Sequence, residues 1–138
     1  MNGGHAMGID PAGTTLAELS RELEAQGLGA RDLVLVFTAT ELGGGDPELG
    51  RTLMRNMLCA LQETAPPRAL IFMNSGVRLV CPGAPALDAL ASLDRQGTEV
   101  LACAESLHHY GLQPSVGEPT NMYRMVDLIT SARRVVTF

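Results

Sequence analysis

The chain has 138 residues, 46% of them hydrophobic and 18% charged, with ten basic and fifteen acidic side chains for a net charge of −5. That is enough for one domain of ordinary size with a sizeable core, and it argues against disorder. Mild acidity and the absence of Trp argue against nucleic-acid binding by phosphate neutralisation or base stacking, and no apolar run reaches the ~18–20 residues that cross a bilayer.

Residues 1–13 are Gly-rich and without periodicity, and read as a loose tail. Thr15-Leu16-Ala17-Glu18 has the form of a capping box, and Leu16, Leu19 and Leu23 follow at helical spacing until Gly27. Leu33 to Phe37 is a continuous apolar run of strand length, suited to a strand covered on both faces. Gly43-Gly44-Gly45 turns the chain, and Asp46-Pro47 starts a helix that carries Leu49, Leu53, Met54, Met57, Leu58 and Leu61 on one broad face. Pro66-Pro67 ends it.

Ala69 to Met73 is the second predicted strand. Val77 to Cys81 is extended in character but comes too soon to be the next parallel strand, so it reads as an apolar loop or lid over the sheet edge. Left exposed, Val77, Leu79 and Val80 would form a patch that predicts a homo-oligomer. Pro82-Gly83 and Pro85 lead into a helix with Leu87, Leu90 and Ala91, stopped by Gly97. Glu99 to Cys103 is the third strand, and a helical turn over Glu105 to Tyr110 follows. Thr120 is placed to cap a last helix with Met122, Met125, Val126 and Ile129, and Arg134 to Thr137 is the final strand. The alternation predicts a three-layer α/β/α fold with a mainly parallel sheet.

Ligands of open α/β sheets bind at the carboxyl ends of the strands. That rule selects Thr38 to Glu41, Asn74 to Gly76 and Cys103. A thiol before a helical turn faces unpaired N–H groups that favour thiolate, so Cys103 is a candidate nucleophile or persulfide carrier. A buried structural cysteine is the competing reading, and Glu105 and Glu118 would oppose a second negative charge. Cys81 reaches such a site only if its loop folds over it, and Cys59 lies on the helical apolar face. The odd count of three cysteines argues against a disulfide framework and sets a reducing cytoplasm as the expected location. His108-His109 with Cys103 lacks the ligand spacing of a zinc site, so no metal is expected, although one His is placed to tune the thiolate. The Gly43–Gly45 turn is not a phosphate loop, because the chain has no Lys, and Pro47-Glu48 breaks a dinucleotide fingerprint. No cofactor is implied.

Several segments taken together resemble a known family. They are Gly43-Gly44-Gly45-Asp46-Pro47-Glu48-Leu49-Gly50, Phe72-Met73-Asn74-Ser75-Gly76-Val77-Arg78-Leu79, Val100-Leu101-Ala102-Cys103, Tyr110-Gly111-Leu112 and Val116-Gly117-Glu118-Pro119-Thr120-Asn121-Met122-Tyr123. From Asp32 to Phe138 the chain resembles the DsrE/DsrF-like sulfurtransferase superfamily, and within it most resembles the C-terminal domain of the YedF-type proteins of selenium metabolism. The resemblance implies a tail and helix over residues 1–30 and a DsrE-like domain over 31–138. It implies sulfur, or selenium, carried as a cysteine persulfide on Cys103 and exchanged with a donor or acceptor protein, in a homo-oligomer. Asn74, Gly76, Cys81, Ser106, His108, Glu118 and Asn121 are the expected pocket or supporting residues. Two departures stand out. Ser106 occupies the place where YedF-like domains usually carry a second cysteine, and residues 1–30 hold no Cys-Pro motif of the TusA-like type. A non-catalytic binding and oligomerisation module is therefore the alternative expectation.

Overall fold

The computed structural model describes Thr15, Glu18, Leu19 and residues 32–138. The predicted tail lies outside the described residues, as does most of the predicted helix after it. At its start the Thr15 hydroxyl accepts the Glu18 N–H at 3.1 Å, the contact a capping box makes.

Among the described residues, five strands form one sheet in the order β4-β3-β2-β1-β5. They are β1 (Leu33–Phe37), β2 (Ala69–Phe72), β3 (Glu99–Cys103), β4 (Glu118–Thr120) and β5 (Arg134–Thr137). All four pairings are parallel. The helices are α1 (Pro47–Leu61), α2 (Leu87–Arg95), α3 (Ala104–Tyr110) and α4 (Met122–Ser131). From β1 to β4 the chain steps across the sheet in one direction, and from β4 to β5 it returns. Right-handed crossovers therefore put α1 and α2 on one face, where they pack together, and α4 on the other. The result is a three-layer α/β/α fold.

The caps fall where the sequence places them, with one shift. Asp46 accepts the Leu49 N–H at 2.8 Å and Pro47 opens α1. At α4 the cap is Asn121, which accepts the Arg124 N–H at 2.9 Å; Thr120 is instead the last residue of β4. The strand β4 has no apolar run to announce it. It is an edge strand of Glu-Pro-Thr, and Pro119 is tolerated there because its missing N–H costs no ladder bond.

The segment after β2 departs most from its expectation. It is neither extended nor a lid: Asn74–Val80 is a 3-10 helix that buries Gly76, Val77, Leu79 and Val80. A 3-10 turn holds three residues, so Gly76 and Leu79 share one edge and Val77 and Val80 another, both turned inward, while Arg78 is exposed. The N–H groups of Ser115 and Val116 both bond to the Val80 carbonyl and pin the segment to the loop before β4. Val77 and Val80 are 0% exposed, so the apolar patch predicted here does not exist.

The core lies on both sides of β1, β2 and β3, whose residues are almost all buried. From α1 only Gly50, Met54 and Leu58 are buried, while Leu49 and Leu53 face outward. The predicted broad face is therefore half used.

Candidate functional site

An open cleft of about 400 Å³ lies at the carboxyl ends of the central strands. Thr38 follows β1, Met73 and Asn74 follow β2, and Cys103 ends β3. One wall is the face of α3 that carries Ser106, His109 and Tyr110, with Glu105 and Met122 at the margins.

Cys103 is the N-cap residue of α3, with extended backbone (φ −61°, ψ 119°), and its side chain makes no capping bond. It is 7% exposed. Asn74 adopts a left-handed conformation at φ 53°, which Asn tolerates better than most residues. Two bonds to α3 hold it there. Its N–H donates to Ser106 Oγ at 2.8 Å, and its Oδ1 accepts the Tyr110 hydroxyl at 2.9 Å. The Arg78 guanidinium lies over the Tyr110 ring, 4.7 Å from its centroid, and His109 meets that ring edge-on at 4.9 Å. On the other side, Thr38 is fixed by its N–H and its hydroxyl, both donating to the Phe138 carbonyl.

Of the residues expected here, Cys103, Asn74 and Ser106 come together. The others do not. Gly76 is pressed against the Phe37 backbone and serves packing. Asn121 commits its side chain to the α4 cap. It is His109, not His108, that lines the cleft, because residues three and four beyond Ser106 share its helical face and residue 108 does not. That spacing, applied to the sequence, would have selected both His109 and Tyr110. Glu118 pairs with Leu101, two residues back along β3 from Cys103, and lines a separate cleft of about 350 Å³ with Asp94, Gly97 and Glu99. Arg124 donates to both oxygens of Glu99 at 2.7 and 2.8 Å, which raises the guanidinium pKa further.

Cys81 is buried at the C-terminal cap of the 3-10 helix, and its thiol donates to the Val77 carbonyl at 3.1 Å. Burial pushes its pKa up, and the charge of Arg78 opposes that only partly. A thiol held neutral in the fold but free to ionise when unfolded stabilises the protein in full below the ordinary thiol range. That contribution falls as pH rises toward the raised value. Iodoacetamide titrated from neutral to alkaline pH, read by peptide mass spectrometry, should modify Cys81 last of the three cysteines. Early labelling of Cys81 in the folded protein would contradict its placement.

Among the described residues, no group of three or more His, Cys, Asp or Glu side chains is arranged to hold a metal ion. No described helix is long and apolar enough to cross a membrane. No family model matches the sequence, and no curated protein matches it. The fold, however, has solved relatives. The chain is similar in structure to YchN from E. coli. The TM-score is 0.58 at 19% identity, over 77% of this chain and 97% of YchN. It is also similar to BT1422 from Bacteroides thetaiotaomicron, described as a conserved protein of unknown function, with a TM-score of 0.54 at 8% identity over 79% and 97% of the two chains. Identities this low speak to architecture alone.

Proposed function

We propose that the cleft is a sulfur-exchange site in which Cys103 receives a sulfane sulfur and holds it as a persulfide for a donor or acceptor protein. The observation that carries this reading is the pattern of hydrogen bonds in the cleft that Cys103 lines. Ser106 Oγ accepts from Asn74 N–H, which leaves the Ser106 proton free to donate. Asn74 Oδ1 accepts from Tyr110, which leaves the Asn74 amide N–H groups free to donate. The cleft that holds Cys103 thus offers donors that suit an anionic sulfur, against the opposing charge of Glu105 in its lining. The resemblance to the DsrE/DsrF-like superfamily points the same way, and YedF-type selenium transfer is its finer form.

The chemical step is a thiol–persulfide exchange. The Cys103 thiolate attacks the outer sulfur of the donor persulfide. A bond forms between Cys103 Sγ and that sulfur, the donor S–S bond breaks, and the donor leaves as a thiolate that takes up a proton. No net oxidation occurs. Self-association belongs to the same reading, now resting on the apolar side chains that stay exposed at Leu49, Leu53, Tyr123, Val126, Val135 and Val136.

Incubation with inorganic polysulfide followed by intact-protein mass should show a gain of one sulfur that a reductant removes. Cys103→Ser should abolish the gain, and Cys59→Ser and Cys81→Ser should retain it. A gain that survives Cys103→Ser would overturn the assignment. No gain in any form would favour the second reading, a binding module without turnover. One observation supports that alternative: Ser106 stands where resembling proteins carry a second thiol, and its oxygen is committed to holding Asn74.

A further inference from the structure

A third cleft, of about 310 Å³, is linked to the cysteine cleft by Arg78, which lines it and lies over Tyr110. Its charged walls are Arg51 from α1 and Arg78 from the 3-10 helix, and Leu79, Pro82 and Pro85 supply an apolar floor. In a chain of net charge −5, two arginines facing one cleft form a local exception. Arg51 has Glu41 at a loose 3.9 Å. Among the described residues, no carboxylate lies within salt-bridge distance of Arg78. Its guanidinium instead lies over the Tyr110 ring. That contact leaves guanidinium donors free to form a fork for a carboxylate.

Tyr110 is shared. One side of it carries Arg78, and it also lines the cleft that holds Cys103. Arg78 and Cys103 line different clefts joined through the Arg78–Tyr110 contact, so an anion held by the arginines is not itself the group that Cys103 attacks. It is the anchor of a molecule long enough to span both clefts and place sulfur at the thiol. We infer that the two clefts together take a persulfide borne on a carboxylate-bearing molecule, with the carboxylate on Arg78 and Arg51 and the sulfane sulfur at Cys103. The inference rests on the sulfur-exchange reading above and adds the class of donor.

The test compares two small donors in the same transfer reaction, glutathione persulfide, which carries two carboxylates, and the persulfide of 2-mercaptoethanol, which carries no charge outside the persulfide. The rate of sulfur gain at Cys103 is followed by mass. Wild-type protein should load faster from glutathione persulfide, and added salt should slow that donor selectively. Arg78→Gln should lower the glutathione persulfide rate by about tenfold, the scale of one charge-assisted hydrogen bond, and lower the 2-mercaptoethanol persulfide rate far less. Arg51→Gln should act in the same direction. Arg55→Gln, an exposed arginine of α1 outside both clefts, should change neither rate. Equal wild-type rates from both donors, or a loss in Arg78→Gln that is the same for both, would overturn the inference while leaving Cys103 as the acceptor. Absence of sulfur gain from either donor would instead overturn the sulfur-exchange reading itself.

Discussion

Gly76→Ala should destabilise the protein by about 3 kcal/mol, the upper end for forcing an extra methyl into a packed interior. A Cβ at position 76 would sit 2.4 Å from the Phe37 carbonyl oxygen and 2.9 Å from its carbon. Both atoms are backbone, and that oxygen already accepts the Met73 N–H at 2.9 Å. The collision therefore cannot be relieved by turning a side chain. It must push the 3-10 helix away from the end of β1, and Thr38, Met73 and Asn74 of the cleft ride on those two segments. Gly44→Ala is the control, since nothing lies within 4 Å of a Cβ there. It should change stability by no more than about 0.5 kcal/mol. Urea unfolding of both variants checks the pair. Equal midpoints would mean that the close approach of Gly76 to Phe37 is not a feature of the folded protein.

The same stretch shows what the sequence can and cannot announce. The strands β1 and β3 are legible because each is a run whose inner residues bury both faces, and continuous apolarity at strand length is what a doubly covered strand requires. The cap of α1 is legible because Asp46-Pro47 makes a local contact within three residues. Residues 77–80 are misread for a physical reason. Val77 and Val80 favour extended backbone taken singly, and the segment is fixed by features the local sequence does not show, the left-handed turn at Asn74 and the bonds from Ser115 and Val116 to Val80. The latter partners lie more than thirty residues away. The cleft follows the same division. Cys103 is placed by position on its strand, and Asn74 by position after its own. The pairing of Asn74 with Ser106 and Tyr110 is tertiary, and so is the transfer of Glu118 to another cleft, which depends on a three-residue edge strand that carries no hydrophobic signal.

Phe37→Ala should cost about 3–5 kcal/mol, the range for removing a fully buried aromatic side chain. Phe37 is 0% exposed at the end of β1, an interior strand of the sheet. Its ring stacks on Phe72 of β2 at 4.9 Å and on Phe138, beyond β5, at 5.1 Å, so three rings run across the sheet just beneath the cleft. Removing the middle ring opens a cavity and breaks both stacks at once. Phe138→Ala removes an end ring that is only partly buried, and keeps the backbone carbonyl that accepts from Thr38. Its cost should therefore be clearly smaller, about 1–2 kcal/mol, less than full burial of an aromatic would bring. The two substitutions share the 5.1 Å stack, so the double variant should lose less than the two single losses added together, by about 0.5–1.5 kcal/mol. Denaturant unfolding of the four proteins in the cycle measures this difference. Strict additivity would mean that Phe138 does not lie on Phe37. The floor of the cleft at Thr38 would then be held by the hydroxyl and N–H bonds to the Phe138 carbonyl, without help from the ring.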